Sequence, residues 1–331
     1  MKNILITGGA GFIGSHLCRY YLENNYFVFC LDNLSTGSFH NLSSFEKLPH
    51  FRFIEHDLTK PFILKDKLHA VLHFASPASP LDYQEQPIPT LKVGSLGTHN
   101  ALGIARAHQC KILLASTSEV YGDPKVHPQP ESYWGHVNPI GPRGCYDEAK
   151  RFLEALTMAY HRTHHLNTRI IRIFNTYGPH MRIKDGRAIP TFISQALSGE
   201  PLSIHGKGDQ TRSFCYIDDL ISGIAKVLDC NYHLPINLGN PQEMTVLECA
   251  RLILKISKSK STVVFLERPV DDPNTRKPDI HLAQKLINWN PSITLIEGLK
   301  KTIPYFRTNF SKSSNDSTKS LSGRNERITS S

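Results

Sequence analysis

The chain has 331 residues, a formal net charge of +9 and 40% apolar side chains, enough for one large or two coupled domains with a sizeable core. No apolar run approaches the roughly 18 residues of a membrane span, and residues 1–6 lead into a glycine pair rather than a signal sequence, so a cytoplasmic address and no membrane partner are expected. Lys and Arg are dispersed without aromatic interleaving, which argues against nucleic acid and suits small polyanionic ligands.

In chain order, strand-like runs at 3–7, 27–32, 51–56, 70–74 and 111–116 alternate with helix-like stretches at 15–24 and 89–107. A further helix is predicted from 146 to about 163, then a strand at 169–174. This alternation predicts an α/β fold, a Rossmann-like doubly wound parallel sheet. After Tyr177 the rhythm breaks into Pro- and Gly-rich segments at 176–186, 199–209, 237–242 and 268–279, which predict a smaller, interleaved C-terminal substrate-binding region. The expected division is 1–176, with parts of 213–242, for cofactor binding, and 177–212 with 243–308 for substrate. The Ser-, Asn- and Lys-rich end, 309–331, is expected to be a disordered tail. Seven cysteines, widely spread with no C-x-x-C spacing, argue against both a disulfide framework and a metal site. Cys145 reads as packing beside a loop rather than as a nucleophile.

The stretch Thr7-Gly8-Gly9-Ala10-Gly11-Phe12-Ile13-Gly14 follows a strand and opens a helix. Gly8 suits a tight turn, Gly11 the close approach of a pyrophosphate, and Gly14 close packing of helix on strand, with helix amides facing the anion. Asp32 ends the second strand, where a carboxylate accepts from a ribose 2′-hydroxyl and repels a 2′-phosphate, so NAD is expected rather than NADP. Asp57 reads either as an adenine-side contact or as a surface turn carboxylate. Tyr146 and Lys150 lie one helical turn apart, so the ammonium is expected to lower the phenol toward use as a base. Thr117-Ser118-Glu119 at a strand end adds two hydroxyls and an acid, so the site is expected to do more than move a hydride. His73 reads as a packed strand-end histidine.

With these motifs the chain resembles the extended short-chain dehydrogenases/reductases, and within them the UDP-glucuronate decarboxylases (UDP-xylose synthases). The resemblance runs from residue 2 to about 306 and is most specific at 114–124 (LASTSEVYGDP), 138–143 (NPIGPR), 172–179 (RIFNTYGP), 210–214 (QTRSF) and 276–280 (RKPDI). It implies a cycle with no net redox: the C4 hydride of UDP-glucuronate passes to NAD while Tyr146, helped by Thr117, takes the hydroxyl proton. The β-keto acid loses CO₂, and the hydride returns to give UDP-xylose. It assigns Glu119 and Arg276 to decarboxylation and protonation, although Arg276 could otherwise be a solvated loop cation. It implies Lys92, Asn175 and Arg212 as substrate contacts, with Asn100 and Arg106 weaker ones that could each simply lie on a helix surface. Phe12, Ile13, Asn33, Leu58, Ala75, Thr176 and Arg187 complete the expected cofactor contacts, and a homodimer built on 89–107 and 146–163 is implied.

Ser118 stands where related 4,6-dehydratases have an Asp, and a neutral hydroxyl tolerates a substrate carboxylate that an Asp would repel. The chain departs from the pattern at Val93-Gly94, where a hydroxyl or β-branched residue and then Asn are usual; Gly94 costs a helix about 1 kcal/mol relative to Ala and is expected to weaken local order or cofactor retention. His180 and Arg182 stand in exchanged order, which unsettles the contacts expected there. The alternatives are another NAD-dependent nucleotide-sugar 4,6-dehydratase or 4-epimerase, and a catalytically silent NAD/nucleotide-sugar-binding protein.

Overall fold

Alternation within the first strand sets the layers. β1 (Lys2–Thr7) sends Ile4 and Ile6 into one core and Leu5 into the other, as a strand covered on both faces must. The structure, a computed structural model, describes residues 1–270 and 272–325, with side chains as far as Phe310. β2 (Tyr26–Asp32), β3 (Phe51–Glu55), β4 (Ala70–His73), β5 (Lys111–Thr117), β6 (Thr168–Ile173) and the strand Pro235–Leu238 complete a parallel sheet of seven strands. Their order is Pro235–Leu238, β6, β5, β4, β1, β2, β3. The chain therefore steps outward from β1 on one side and then returns to the other, which opens a crevice at the carboxyl ends of β1 and β4.

The expected strands and helices of the first half are present to within a few residues. The second half differs. The stretch 237–242 begins inside the sheet, with Asn237 and Leu238 opposite Arg172 and Ile173. A buried Asn is tolerated there because Nδ2 donates to the carbonyls of Gln129 and Asp279, each at 3.0 Å, and Oδ1 accepts from the Tyr121 hydroxyl at 2.8 Å. Helices Ala188–Ser198, Ile217–Asp229 and Val246–Ser257 pack into the same core as α1 (Phe12–Glu23). The last helix, Leu295–Asn325, is anchored by buried Leu299, Ile303 and Phe306. Its backbone continues through much of 309–331, expected to be disordered, because extending a helix needs no new nucleus. Residues 326–331 lie outside the described residues.

The helix expected at 89–107 is interrupted. Pro87–Lys92 passes through a π turn, Val93–Gly97, into Thr98–His108, and such turns often mark functional segments. Gly94 sits in that turn against the helix Gly144–His164: a Cβ there would meet the Ala149 Cβ at 2.6 Å and its Cα at 3.1 Å. The departure from the usual pattern is thus a contact that lets two helices approach. Gly94→Ala is expected to lower stability by about 1–2 kcal/mol, because overpacking outweighs the gain in helix propensity. A urea denaturation midpoint equal to or above that of the parent protein would contradict this.

Candidate active site

Backbone geometry shapes the first wall of the crevice. Gly8 has φ +71°, and a Cβ on it would lie 2.7 Å from the backbone of Phe74 and Ala75. At Gly14 a Cβ would come within 2.1 Å of the Gly8 carbonyl oxygen, so the first turn of α1 closes on the loop only with glycine. Gly11, Phe12 and Ile13 line the cavity where that helix begins. Asp32 is buried, and its oxygens accept from the amides of Ala10 at 2.9 Å and Leu34 at 2.8 Å. Burial raises its carboxyl, opposed by those amides. Each oxygen keeps a lone pair for a hydroxyl. Asn33, Asp57, Leu58, Ala75 and Thr176 line the same cavity, whose volume is about 960 Å³. Asp57 also braces its own turn, since Oδ1 accepts from the amide and hydroxyl of Thr59, each at 2.9 Å. The cradle of glycines with a carboxylate at the end of β2 fits a dinucleotide.

The second wall is built by the end of β5 and the helix Gly144–His164. Glu154 holds the two together: it accepts from Arg172 Nε at 2.9 Å, from Arg172 Nη2 at 2.8 Å and from Ser116 Oγ at 2.6 Å. One turn and two turns earlier on the same helix stand Lys150 and Tyr146, both buried. Lys150 Nζ donates to the Ala115 carbonyl at 2.9 Å and lies 5.6 Å from the Tyr146 ring centre. The Tyr146 ring stacks on Tyr83 at 5.0 Å, with 7° between planes. Burial raises the Tyr146 phenol, against the Thr117 hydrogen bond and the Arg187 charge. The expected lowering by Lys150 is therefore not what governs this phenol, because burial of both groups dominates; it also brings the Lys150 ammonium down to about 8.

Beyond Thr117, the turn Ser118–Tyr121 carries Glu119 into a cluster of guanidinium groups. Arg143 Nη2 donates to Glu119 Oε2. Arg276, 1% exposed, lies 3.4 Å from Glu119 through Nη1 and Nη2, and donates to the Ser118 and Gly122 carbonyls. Arg276 is thus no solvated loop cation. Burial pushes the Glu119 carboxyl up, but Arg276 and Arg143 outweigh it and hold it at about 2. Lys92, Asn175 and Arg212 line the cavity nearby, and Arg212 Nη2 donates to both Asp272 oxygens at 3.0 and 3.1 Å.

A family model described as "NAD dependent epimerase/dehydratase family" matches residues 4–239. The chain belongs to the NAD-dependent epimerase/dehydratase family. It is 48% identical over 315 residues to UDP-glucuronic acid decarboxylase 1 of Xenopus tropicalis, which covers 95% of this chain and 74% of that one. It is 49% identical over 297 residues to UDP-glucuronic acid decarboxylase 3 of Arabidopsis thaliana, covering 89% and 86%. Among solved structures it is similar to a UDP-glucuronic acid 4-epimerase from Bacillus cereus in complex with UDP-glucuronic acid and NAD. That match has 30% identity, coverage of 92% and 99%, and a TM-score of 0.82.

Within this epimerase/dehydratase fold, two sequence expectations move. Asn100 does not line the cavity: its amide donates to the Leu58 carbonyl at 2.7 Å and the Lys60 carbonyl at 3.2 Å. It fixes the loop that carries Asp57 and Leu58. The exchanged His180 and Arg182 each find a partner: the His180 ring pairs with Ser15 Oγ at 2.8 Å, and Arg182 bonds Asp82. Arg187, paired with Asp185, lines the cavity near the phenol. His73 is a packed core residue, bonded to Thr7 Oγ1 at 2.8 Å, with burial and then the Lys150 charge pushing it down to about 3. Arg143 and Tyr83 carry no assignment from sequence. Only the three-residue spacing of Arg143 before Tyr146, one helical turn, points to it.

Glu119 sits below its ordinary value of 4.5, so it contributes stability above about pH 4.5 and loses that contribution as pH falls toward 2. Glu119→Gln leaves two buried guanidiniums without their carboxylate and is expected to cost about 3 kcal/mol at neutral pH. Its melting temperature should fall less steeply than that of the parent between those pH values. Parallel acid limbs in a pH series of thermal melts would refute the assignment.

Proposed function

We infer that the protein is an NAD-dependent UDP-glucuronate decarboxylase that forms UDP-xylose and CO₂. The observation that carries this reading is the carboxylate of Glu119 set between Arg143 and Arg276, beside a neutral Ser118 and the Tyr146/Lys150 pair. Two guanidiniums against one carboxylate leave a positive charge beside the reacting end of the site. Arg276 Nε is buried without a hydrogen-bond partner, a donor that a substrate carboxylate satisfies.

NAD, which the Gly8, Gly11 and Gly14 cradle and Asp32 would hold, would supply a reversible hydride acceptor for the sugar C4. Tyr146 takes the C4 hydroxyl proton, with Thr117 beside it, and Lys150 holds ribose hydroxyls. The C6 carboxylate is then β to a ketone: the C5–C6 bond breaks, its electron pair enters the C4–C5 enolate, and CO₂ leaves. A proton adds at C5, and Tyr146 gives its proton back to the C4 oxygen. Arg212 and Lys92 bind the diphosphate and the sugar acid. A homodimer and a cytoplasmic location belong to the same reading. Exposed Ile88, Leu91, Leu96 and Phe152 on the two helical segments support the dimer, and seven unpaired cysteines support a reducing compartment.

Incubating the purified protein with UDP-glucuronate should release CO₂ and UDP-xylose, identified by mass and NMR, with no net NADH. C4 inversion without CO₂, or a 6-deoxy-4-keto product, would transfer the chain to the epimerases or dehydratases. Tyr146→Phe should lower kcat by roughly 10²–10⁴-fold, and unchanged turnover would remove Tyr146 from the chemistry. Phe152→Glu should yield a monomer by light scattering if the apolar helix face is the interface; an unaltered mass would place the contact elsewhere.

A further inference from the structure

Glu119, Arg143 and Arg276 line two cavities at once. The second cavity, of about 580 Å³ and lined by none of Gly8, Gly11 and Gly14, is ample for several waters at roughly 30 Å³ each. Its rim includes Asp123, His136 and Asn138, all exposed, so it reaches solvent. Its inner wall includes Asp147, the residue after Tyr146, which does not line the main cavity. Asp147 is 5% exposed, and its Oδ1 has no hydrogen-bond partner. A buried carboxyl oxygen left unmatched on a residue that lines a water-sized space calls for an explanation.

The reaction supplies one. The inference rests on the decarboxylation reading, in which a carboxylate leaves as neutral CO₂ and a C–H bond replaces the C5–C6 bond. UDP-glucuronate plus one proton gives UDP-xylose plus CO₂, so each turnover draws a proton from solvent. The Tyr146 proton cannot meet this demand, because it is taken from the C4 hydroxyl and returned to it. We propose that the second cavity is the route by which that proton enters, and that Asp147 holds it next to the Glu119, Arg143 and Arg276 wall for delivery to C5.

The groups facing Asp147 favour a protonated carboxyl. Burial, then the Glu119 charge, raises it to about 8, against Arg143 and Arg276; Glu148 on its own helix raises it further. Cys145 is its chain neighbour, and Tyr83 packs from the helix Pro80–Glu85. His136, Arg268 and Asp272 complete the charged lining of the cavity. Glu119, held at about 2, keeps no proton at neutral pH, so the store is Asp147. The store is filled below about pH 8 and empties as pH rises through that value.

The test joins infrared titration of the whole protein to single turnovers. Wild type at pH 7 should show a protonated-carboxyl band that is absent from Asp147→Asn and disappears near pH 8. No such band in wild type would overturn the inference without touching the decarboxylase reading. In single turnovers Asp147→Asn should reduce bound NAD at the wild-type rate yet form UDP-xylose roughly 10²-fold more slowly, with Asp147→Glu restoring part of the rate. Its kcat should lose the alkaline limb near pH 8. A limb that persists belongs to Lys150, and equal slowing of both steps marks a structural role; either result defeats the proposal. A wild type that releases no CO₂ defeats the decarboxylation reading and the proton demand with it.

Discussion

The carboxylate of Glu119 is the point on which the reacting half of the site depends. Its partners come from the start of the helix Gly144–His164 and from the loop near 276, 24 and 157 residues away in the chain. Buried ions persist only where their mutual attraction offsets desolvation. Glu119 meets that condition with two guanidiniums, and Arg276 meets it further through two backbone carbonyls. The pairing fixes Ser118 and Thr117 at the mouth of β5, next to Tyr146. Orientation of the hydride-transfer pair and handling of an acidic substrate are thus one electrostatic problem.

The balance of charge there suits the loss of a carboxylate. Guanidiniums alone would stabilise the bound acid and oppose its conversion to neutral CO₂, since interactions strong in the ground state do not speed the step. Glu119 beside them weakens that hold while leaving enough positive field to admit the acid. An Asp at position 118 would tip the balance to repulsion; Ser118 keeps it. Tyr146 lies on the other side of this arrangement, raised by burial rather than lowered. Positive charge opposes that rise: Lys150 stands 5.6 Å from the ring centre, and the Arg187 charge acts against burial.

The cofactor half was legible because its determinants are local. Gly8, Gly11, Gly14 and Asp32 lie within two strands and one helix, and their spacing carries their geometry. Tyr146 and Lys150 were legible for the same reason, through a single helical turn. Arg143 was not, although it stands only three residues before Tyr146, because its partner lies on another element. Asn100 misled because the π turn Val93–Gly97 intervenes between it and Lys92. An extra residue in a turn rotates all that follows by about 100°, and Lys92 lines the cavity while Asn100 reaches for the Leu58 carbonyl. After Tyr177, polar residues such as Asn237, whose side chain bonds Gln129 and Tyr121 more than a hundred residues away, hid a strand of the sheet.

Gly94 links these points. Read as a lone residue it weakens a helix; in place, it is where the helix carrying Lys92 touches the helix carrying Tyr146. A larger residue would separate the two segments that bring Lys92 and Tyr146 to the same cavity. The site is thus set by close approaches of backbone as much as by side-chain chemistry: Gly14 against Gly8 at the cofactor end, Gly94 against Ala149 at the reacting end. Between them, the ion cluster at Glu119 lines both the large cavity of the glycine loop and the second cavity, whose rim reaches solvent.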